Sequence, residues 1–144
     1  MSQPTFTLGR TLITIANLLY AVGAFLADFN ETHVYNPRWP PHARFHNGQT
    51  MTLGIFLSAT SLYFAYKRPT SVPGAAEQSI FYSALIGSFY CAAGLTAILY
   101  PGTDWKDPDI TAGGAQPVLF SGVVAAMWVG YALERRRLGK AKAL

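Results

Sequence analysis

Charge is scarce in this sequence. Charged residues make up 12% of the 144, against about 25% in an ordinary soluble domain. They are also bunched. None occurs from Thr11 to Ala27, from Met51 to Tyr66, from Gln78 to Thr103 or from Ile110 to Leu133. Runs of about 17 to 25 apolar residues are what a hydrocarbon core of ~30 Å requires. A soluble domain of this length has no need of four.

Other things are missing too. Cysteine occurs once, as Cys91, so no internal disulfide forms and the redox compartment is not readable from it. The first apolar run lacks a small-x-small cleavage site followed by a polar mature domain, so it reads as a span and not as a signal peptide. There is no internal repeat and no low-complexity segment. The length suits one domain. The net charge of +4 raises a nucleic-acid reading, but the basic residues flank the apolar runs, where membrane topology accounts for them better.

What is present reads as an all-α membrane protein, a bundle of four transmembrane helices over about 9–29, 41–67, 76–100 and 116–136. Pro41 suits a first helical turn, where its missing N–H costs nothing. Pro69 and Pro73 follow span two, Pro101-Gly102 ends span three, and Pro117 opens span four. Arg10, Lys67, Arg68, Arg135, Arg136, Arg137, Lys140 and Lys142 fall on one side; Arg38, Arg44 and Lys106 fall on the other. The richer side is expected to be cytosolic, with both termini. Lys140 and Lys142 close to the C-terminus also resemble the dilysine address for return to the endoplasmic reticulum. An ordinary basic tail gives the same pattern.

The segment from Asp28 to Gln49 is the least membrane-like part of the chain. It holds all three histidines, His33, His42 and His46, with Asp28, Glu31, Arg38, Arg44 and several amides. At about 100° per residue, Asn17, Tyr20, Ala24, Asp28 and Glu31 share one stripe of span one. On a helix from Pro41, His42, His46, Gln49, Leu53 and Thr60 share another. Two facing polar stripes would line a cleft at the non-cytosolic face. Ionisable groups at the edge of a span are costly, which makes a functional site the first hypothesis; the plain alternative is headgroup-depth solvation.

Several chemistries suit these residues. Arg44 can fork onto Asp28 or Glu31, locking the two spans or holding a carboxylate as base. A partly buried Glu31 or Asp104 would then be the acid. His42 and His46 would tune the site, and Asn17, Tyr20, Gln49 and Trp39 would hold the substrate. Asp109 is a second loop candidate. A metal alternative uses His33, His42 and His46, but Ala43 stands where zinc proteases carry Glu, and three histidines are too few for di-iron membrane oxygenases. No cofactor is implied. Ser79, Ser83, Gly87 and Cys91 recur every fourth residue, a small-residue seam for close packing. Asn30-Glu31-Thr32 matches the glycosylation acceptor pattern, hard against a span end.

The run from Asn30 to Gln49, Asn-Glu-Thr-His-Val-Tyr-Asn-Pro-Arg-Trp-Pro-Pro-His-Ala-Arg-Phe-His-Asn-Gly-Gln, resembles that of small fungal four-span membrane proteins of largely unassigned function. The resemblance implies a fungal membrane protein of specialised metabolism and supplies no catalytic residues. By architecture the chain is similar to sterol-isomerase-like bundles. By its Asp and Arg side chains it is similar to limonene-type epoxide hydrolases. Together these lead to the expectation of an enzyme that opens an epoxide on a lipophilic, terpenoid-like molecule arriving from the bilayer. A double-bond isomerase and a non-enzymatic lipid-binding or scaffold protein are the alternatives; the oligomeric state is left open.

Overall fold

Thr7 starts the first helix by accepting a hydrogen bond from the Arg10 amide on its side-chain oxygen. Helix α1 then runs Leu8–Asp28. The amide of Asn30 closes it, donating to the carbonyls of Leu26 and Ala27 at 3.3 and 2.8 Å, acceptors that the helix end leaves without partners. Helix α2 spans Pro41–Tyr66 with proline at its first position. Gly74, at φ 83°, turns the chain into α3, Ala75–Ala97. Helix α4 covers Gln116–Lys142. These elements come from a computed structural model that describes residues 5–67, 72–106 and 114–142, without the side chains of 141 and 142. Among the described residues there are four helices and no strand.

Contacts between helix ends fix the topology. The start of α1 meets the end of α4 through Thr7 and Glu134. The end of α1 meets the start of α2 through Asp28 and Asn47. Ser79, at the start of α3, donates to the Phe64 carbonyl near the end of α2 at 2.7 Å. Gln116 reaches back across the last connection to the Trp105 carbonyl at 2.9 Å. The result is an up-down-up-down ring, with α1 packed on α2 and α4, and α3 packed on the same two. Arg10, Lys67 and Arg135 to Arg137 gather at one end, the basic end. The segments 29–40 and 101–106 lie at the other, the far end.

The interior packs small and polar side chains among Ile13, Tyr20, Ile80 and Met127, and the exterior is apolar. Leu18, Leu19, Val22 and Leu26 of α1, Phe56 and Tyr63 of α2, and Val118 and Val129 of α4 are exposed. Inside lie Ala16, Ala84, Cys91, Ser61 and Ser83. This is the pattern of a lipid environment, in which tails are as apolar as leucine and helices associate through close packing and hydrogen bonds. Helices α1, α3 and α4 are long and apolar enough to cross a membrane, so this is a multi-pass membrane protein in its elements. Helix α2 has the length, 26 residues, but His42, Arg44, His46, Asn47 and Gln49 make its first half polar.

Asn17 joins three helices at mid-bundle. Its amide nitrogen donates to Ser61 Oγ at 2.9 Å and to its own helix at the Ile13 carbonyl, also at 2.9 Å. Its oxygen accepts from the Tyr20 hydroxyl at 2.9 Å. Ser61 passes the chain on to the Ser83 carbonyl at 2.8 Å. A Cβ on Gly87 would lie 2.8 Å from Ser61 Oγ, so glycine is what lets α3 come this close. The expected seam of Ser79, Ser83, Gly87 and Cys91 is buried throughout.

Two boundaries differ from expectation. Helix α3 ends at Ala97, three residues before Tyr100, where Leu99 and Tyr100 donate to Thr96 and Ala97 in tight turns. Helix α4 continues to Lys142 rather than ending near residue 136, because its Glu, Arg, Leu, Lys and Ala side chains are strong helix formers even outside lipid. Replacing Asn17 by Leu removes the shared partner of Tyr20 and Ser61. Thermal unfolding in detergent should show a loss of roughly 1–3 kcal/mol, while exposed Leu19→Ala leaves stability within about 0.5 kcal/mol.

Candidate functional site

Segment 29–40 folds back on the end of α1. The Val34 amide donates to the Asp28 carbonyl at 3.2 Å, and the Tyr35 amide to the Asn30 carbonyl at 2.9 Å. Asn30 also accepts on Oδ1 from the Thr32 amide and hydroxyl, at 2.8 and 2.6 Å. Every polar atom of the acceptor side chain in Asn30-Glu31-Thr32 is therefore engaged. Asn36 is buried and organises the second half. Its amide donates to the Thr32 carbonyl at 3.2 Å, and its side-chain oxygen accepts from the Arg38 amide at 3.0 Å.

This fold places Asp28 between two partners. Asn47 donates to one carboxylate oxygen at 2.9 Å. His33 Nε2 lies 3.9 Å from the other, and both side chains are partly exposed, 22% for Asp28 and 29% for His33. The His33 ring is held from behind: Nδ1 is 2.7 Å from the Thr32 hydroxyl, and Trp39 stands edge-on to the ring at 4.8 Å between centroids. A carboxylate beside an imidazole, each oriented by a second group, can relay a proton to a molecule bound against either. Trp39 thus joins the site through His33.

Arg44 goes elsewhere. Its Nη2 donates to the Asn36 carbonyl at 2.6 Å, and its buried Nε has no hydrogen-bond partner among the described residues. The guanidinium pins the connection to α2 instead of forking onto Asp28 or Glu31. Glu31 lies beyond the end of α1, exposed, and forms no ion pair among the described residues. Asp104 is exposed and accepts from the Trp105 amide at 2.6 Å; it is not brought to Asp28. Asp109 lies outside the described residues, as do Arg68, Pro69 and the last two residues.

Helix α2 is rotated away from the expected stripe. Its buried residues are Met51, Gly54, Ser58, Ser61 and Ala65, spaced alternately three and four apart, and Asn47 continues that line toward Asp28. His42, His46, Gln49, Leu53 and Thr60 are exposed. His42 and His46 face each other, Nε2 to Nε2, at 3.0 Å, and His46 Nδ1 lies 3.1 Å from Gln49 Oε1. They do not tune Asp28, and the set of His33, His42 and His46 does not assemble. Among the described residues no group of three His, Cys, Asp or Glu side chains could hold a metal ion. Asn17 and Tyr20 share a stripe with Asp28 as expected, but they are buried in the mid-bundle network. Gln49 lines an open groove of about 660 Å³ along α2 with Arg44, Phe45, Leu53 and Phe56.

The basic end holds a second polar centre that spacing did not reveal. Glu134 is 1% exposed. It accepts from the Thr7 hydroxyl, pairs with Arg137 at 3.0 Å and lies 3.9 Å from Arg10 Nε. A Cβ on Gly9 would sit 2.6 Å from the Gly130 carbonyl oxygen, and one on Gly130 would sit 2.7 Å from that of Gly9. This bare crossing lets Thr7 reach the carboxylate. The sequence signal was Gly130 one turn before Glu134 on a face shared with Met127 and Val123.

Fold and site together define an all-helical, multi-pass membrane protein with a hydrogen-bonded carboxylate at each end of the bundle. Over residues 12–143 the chain matches a family of unknown function (DUF6640), and it belongs to that family. No curated protein and no solved structure matches it. A double-mutant cycle checks the geometry. Asp28→Ala with Asn47→Ala should show a coupling of roughly 0.5–3 kcal/mol in unfolding stability, and Asp28→Ala with Arg44→Ala a smaller one, since those two side chains do not touch.

Proposed function

We propose that the chain crosses the membrane four times and that its far end performs acid–base chemistry on a lipophilic small molecule. The ring topology supports the fourth crossing. Helix α2 joins the far end of α1 to the basic end of α3, so three crossings by α1, α3 and α4 require one by α2. The excess of Lys and Arg at the basic end supports its facing the cytosol. Residence in the endoplasmic reticulum rests on Lys140 and Lys142 alone.

The observation that carries the chemical reading is Asp28, held by Asn47 at 2.9 Å with His33 at 3.9 Å, where a span ends at the lipid boundary. The reaction that suits this pair is epoxide opening. Asp28 takes a proton from water or a substrate hydroxyl, whose oxygen attacks an epoxide carbon. The carbon–oxygen bond breaks, and protonated His33 gives its proton to the oxygen released. His33 takes the acid role in place of Glu31 or Asp104, because it is the proton carrier beside Asp28. The groove of Phe45, Leu53 and Phe56 lies on the outward side of α2, away from Asp28.

One observation favours a second reading. Arg44 and Asn36 are engaged in tying segment 29–40 to α2, so the polar residues could serve the fold alone, in a scaffold without turnover. Metabolite comparison separates the two. A host lacking the gene should accumulate a lipophilic precursor. Wild-type protein should clear it, whereas Asp28→Asn and His33→Gln, present at wild-type levels, should clear less than about a tenth as much. A product heavier by one water marks hydrolysis; unchanged mass marks cyclisation or isomerisation. Full clearance by both variants sinks the chemical reading.

A further inference from the structure

His42 and His46 form a pair that neither the fold nor the proposed chemistry uses. They lie one turn apart near the start of α2, on its exposed side, with their Nε2 atoms 3.0 Å apart. Their orientation is fixed from both sides. His42 stacks on Phe45 with ring planes 5° apart. Gln49 Oε1, 3.1 Å from His46 Nδ1, can only accept, so Nδ1 carries the hydrogen and Nε2 presents its lone pair. An imidazole oriented by a carbonyl oxygen on its other nitrogen is the usual arrangement of a metal-bound histidine.

The two nitrogens are close enough for one metal ion to bind both. With metal–nitrogen bonds of about 2.1 Å, two ligands at a right angle stand about 3.0 Å apart, whereas a tetrahedral angle puts them about 3.4 Å apart. The 3.0 Å contact is the hydrogen bond of the metal-free pair, so either angle is a small adjustment away, and for imidazole ligands affinity among divalent first-row metals is highest for copper(II). We propose that His42 and His46 form a two-histidine site for a divalent late transition metal, copper(II) by preference, on the outer surface of the far end. No third His, Cys, Asp or Glu joins them among the described residues; water completes the coordination. In the metal-free pair the His42 Nε2–H donates to His46 Nε2. On binding, His42 carries its hydrogen on Nδ1 instead, and both Nε2 lone pairs face the metal. The site is independent of Asp28 and of the chemistry proposed there.

Protein purified in detergent through a tag without histidine should be titrated with copper(II) chloride alone. Binding should be followed by calorimetry and by electron paramagnetic resonance. One copper per chain is expected, with a tetragonal spectrum split by two nitrogens. His42→Ala and His46→Ala should each weaken binding at least tenfold, Gln49→Leu by several-fold, and His33→Ala not at all. Circular dichroism should show all four variants as helical as the wild type. Copper affinity unchanged in the helical His42→Ala and His46→Ala proteins, or lost in His33→Ala, overturns the proposal.

Discussion

A hydrogen bond buried in hydrocarbon has no water to replace it, and the bond from Asn17 to Ser61 decides how this bundle is put together. In lipid, apolar burial gives helices little reason to meet; close packing and polar contacts do that work. Asn17 binds Ser61, Ser61 binds the Ser83 carbonyl, and Tyr20 closes on Asn17. Three helices are brought into register at one depth. That register sets the rotation of α2. With Ser61 turned inward, Ser58, Gly54 and Met51 follow it, and Asn47, further up the same line, arrives at Asp28. The same rotation turns His42 and His46 outward. The far-end site and the outer histidine pair are thus two consequences of one mid-membrane contact.

The two ends of the bundle use charge differently. At the basic end Glu134 is almost wholly buried and matched by Arg10, Arg137 and Thr7. Such a cluster is costly to break, since removing one partner strands a buried charge. It fastens α1 to α4 where Gly9 and Gly130 cross. At the far end Asp28 has a neutral amide and an imidazole, and part of its surface is open. A matched, enclosed carboxylate suits a fastening; a partly open one beside a titratable ring suits chemistry.

Much of the fold was legible in the sequence because four uncharged runs bounded by proline and glycine leave little freedom. Helix starts at Leu8, Pro41, Ala75 and Gln116 lie within one residue of the expected ones. The seam from Ser79 to Cys91 was legible as well, since small residues every fourth position signal close approach. The face of α2 was not read. The histidines make the chemically rich stripe, but in a membrane bundle the inward face is the one with small residues, and Gly54, Ser58, Ser61 and Ala65 carry that pattern, with Met51 and Asn47 on the same line. Spacing also could not supply Arg44's partner, a backbone carbonyl presented by the fold of segment 29–40. Nor could it supply the His33 contact, which depends on the same local turns.

The four proposed crossings put the two polar ends of the bundle on opposite faces of the membrane. In a Cys91→Ala background, single cysteines at exposed Pro37 and exposed Arg136 should be treated with a membrane-impermeant maleimide in sealed vesicles of known orientation. The four-crossing bundle predicts that the two positions react from opposite sides. With α2 outside the membrane, the chain would cross three times and both positions would react from the same side, and that result would contradict the account.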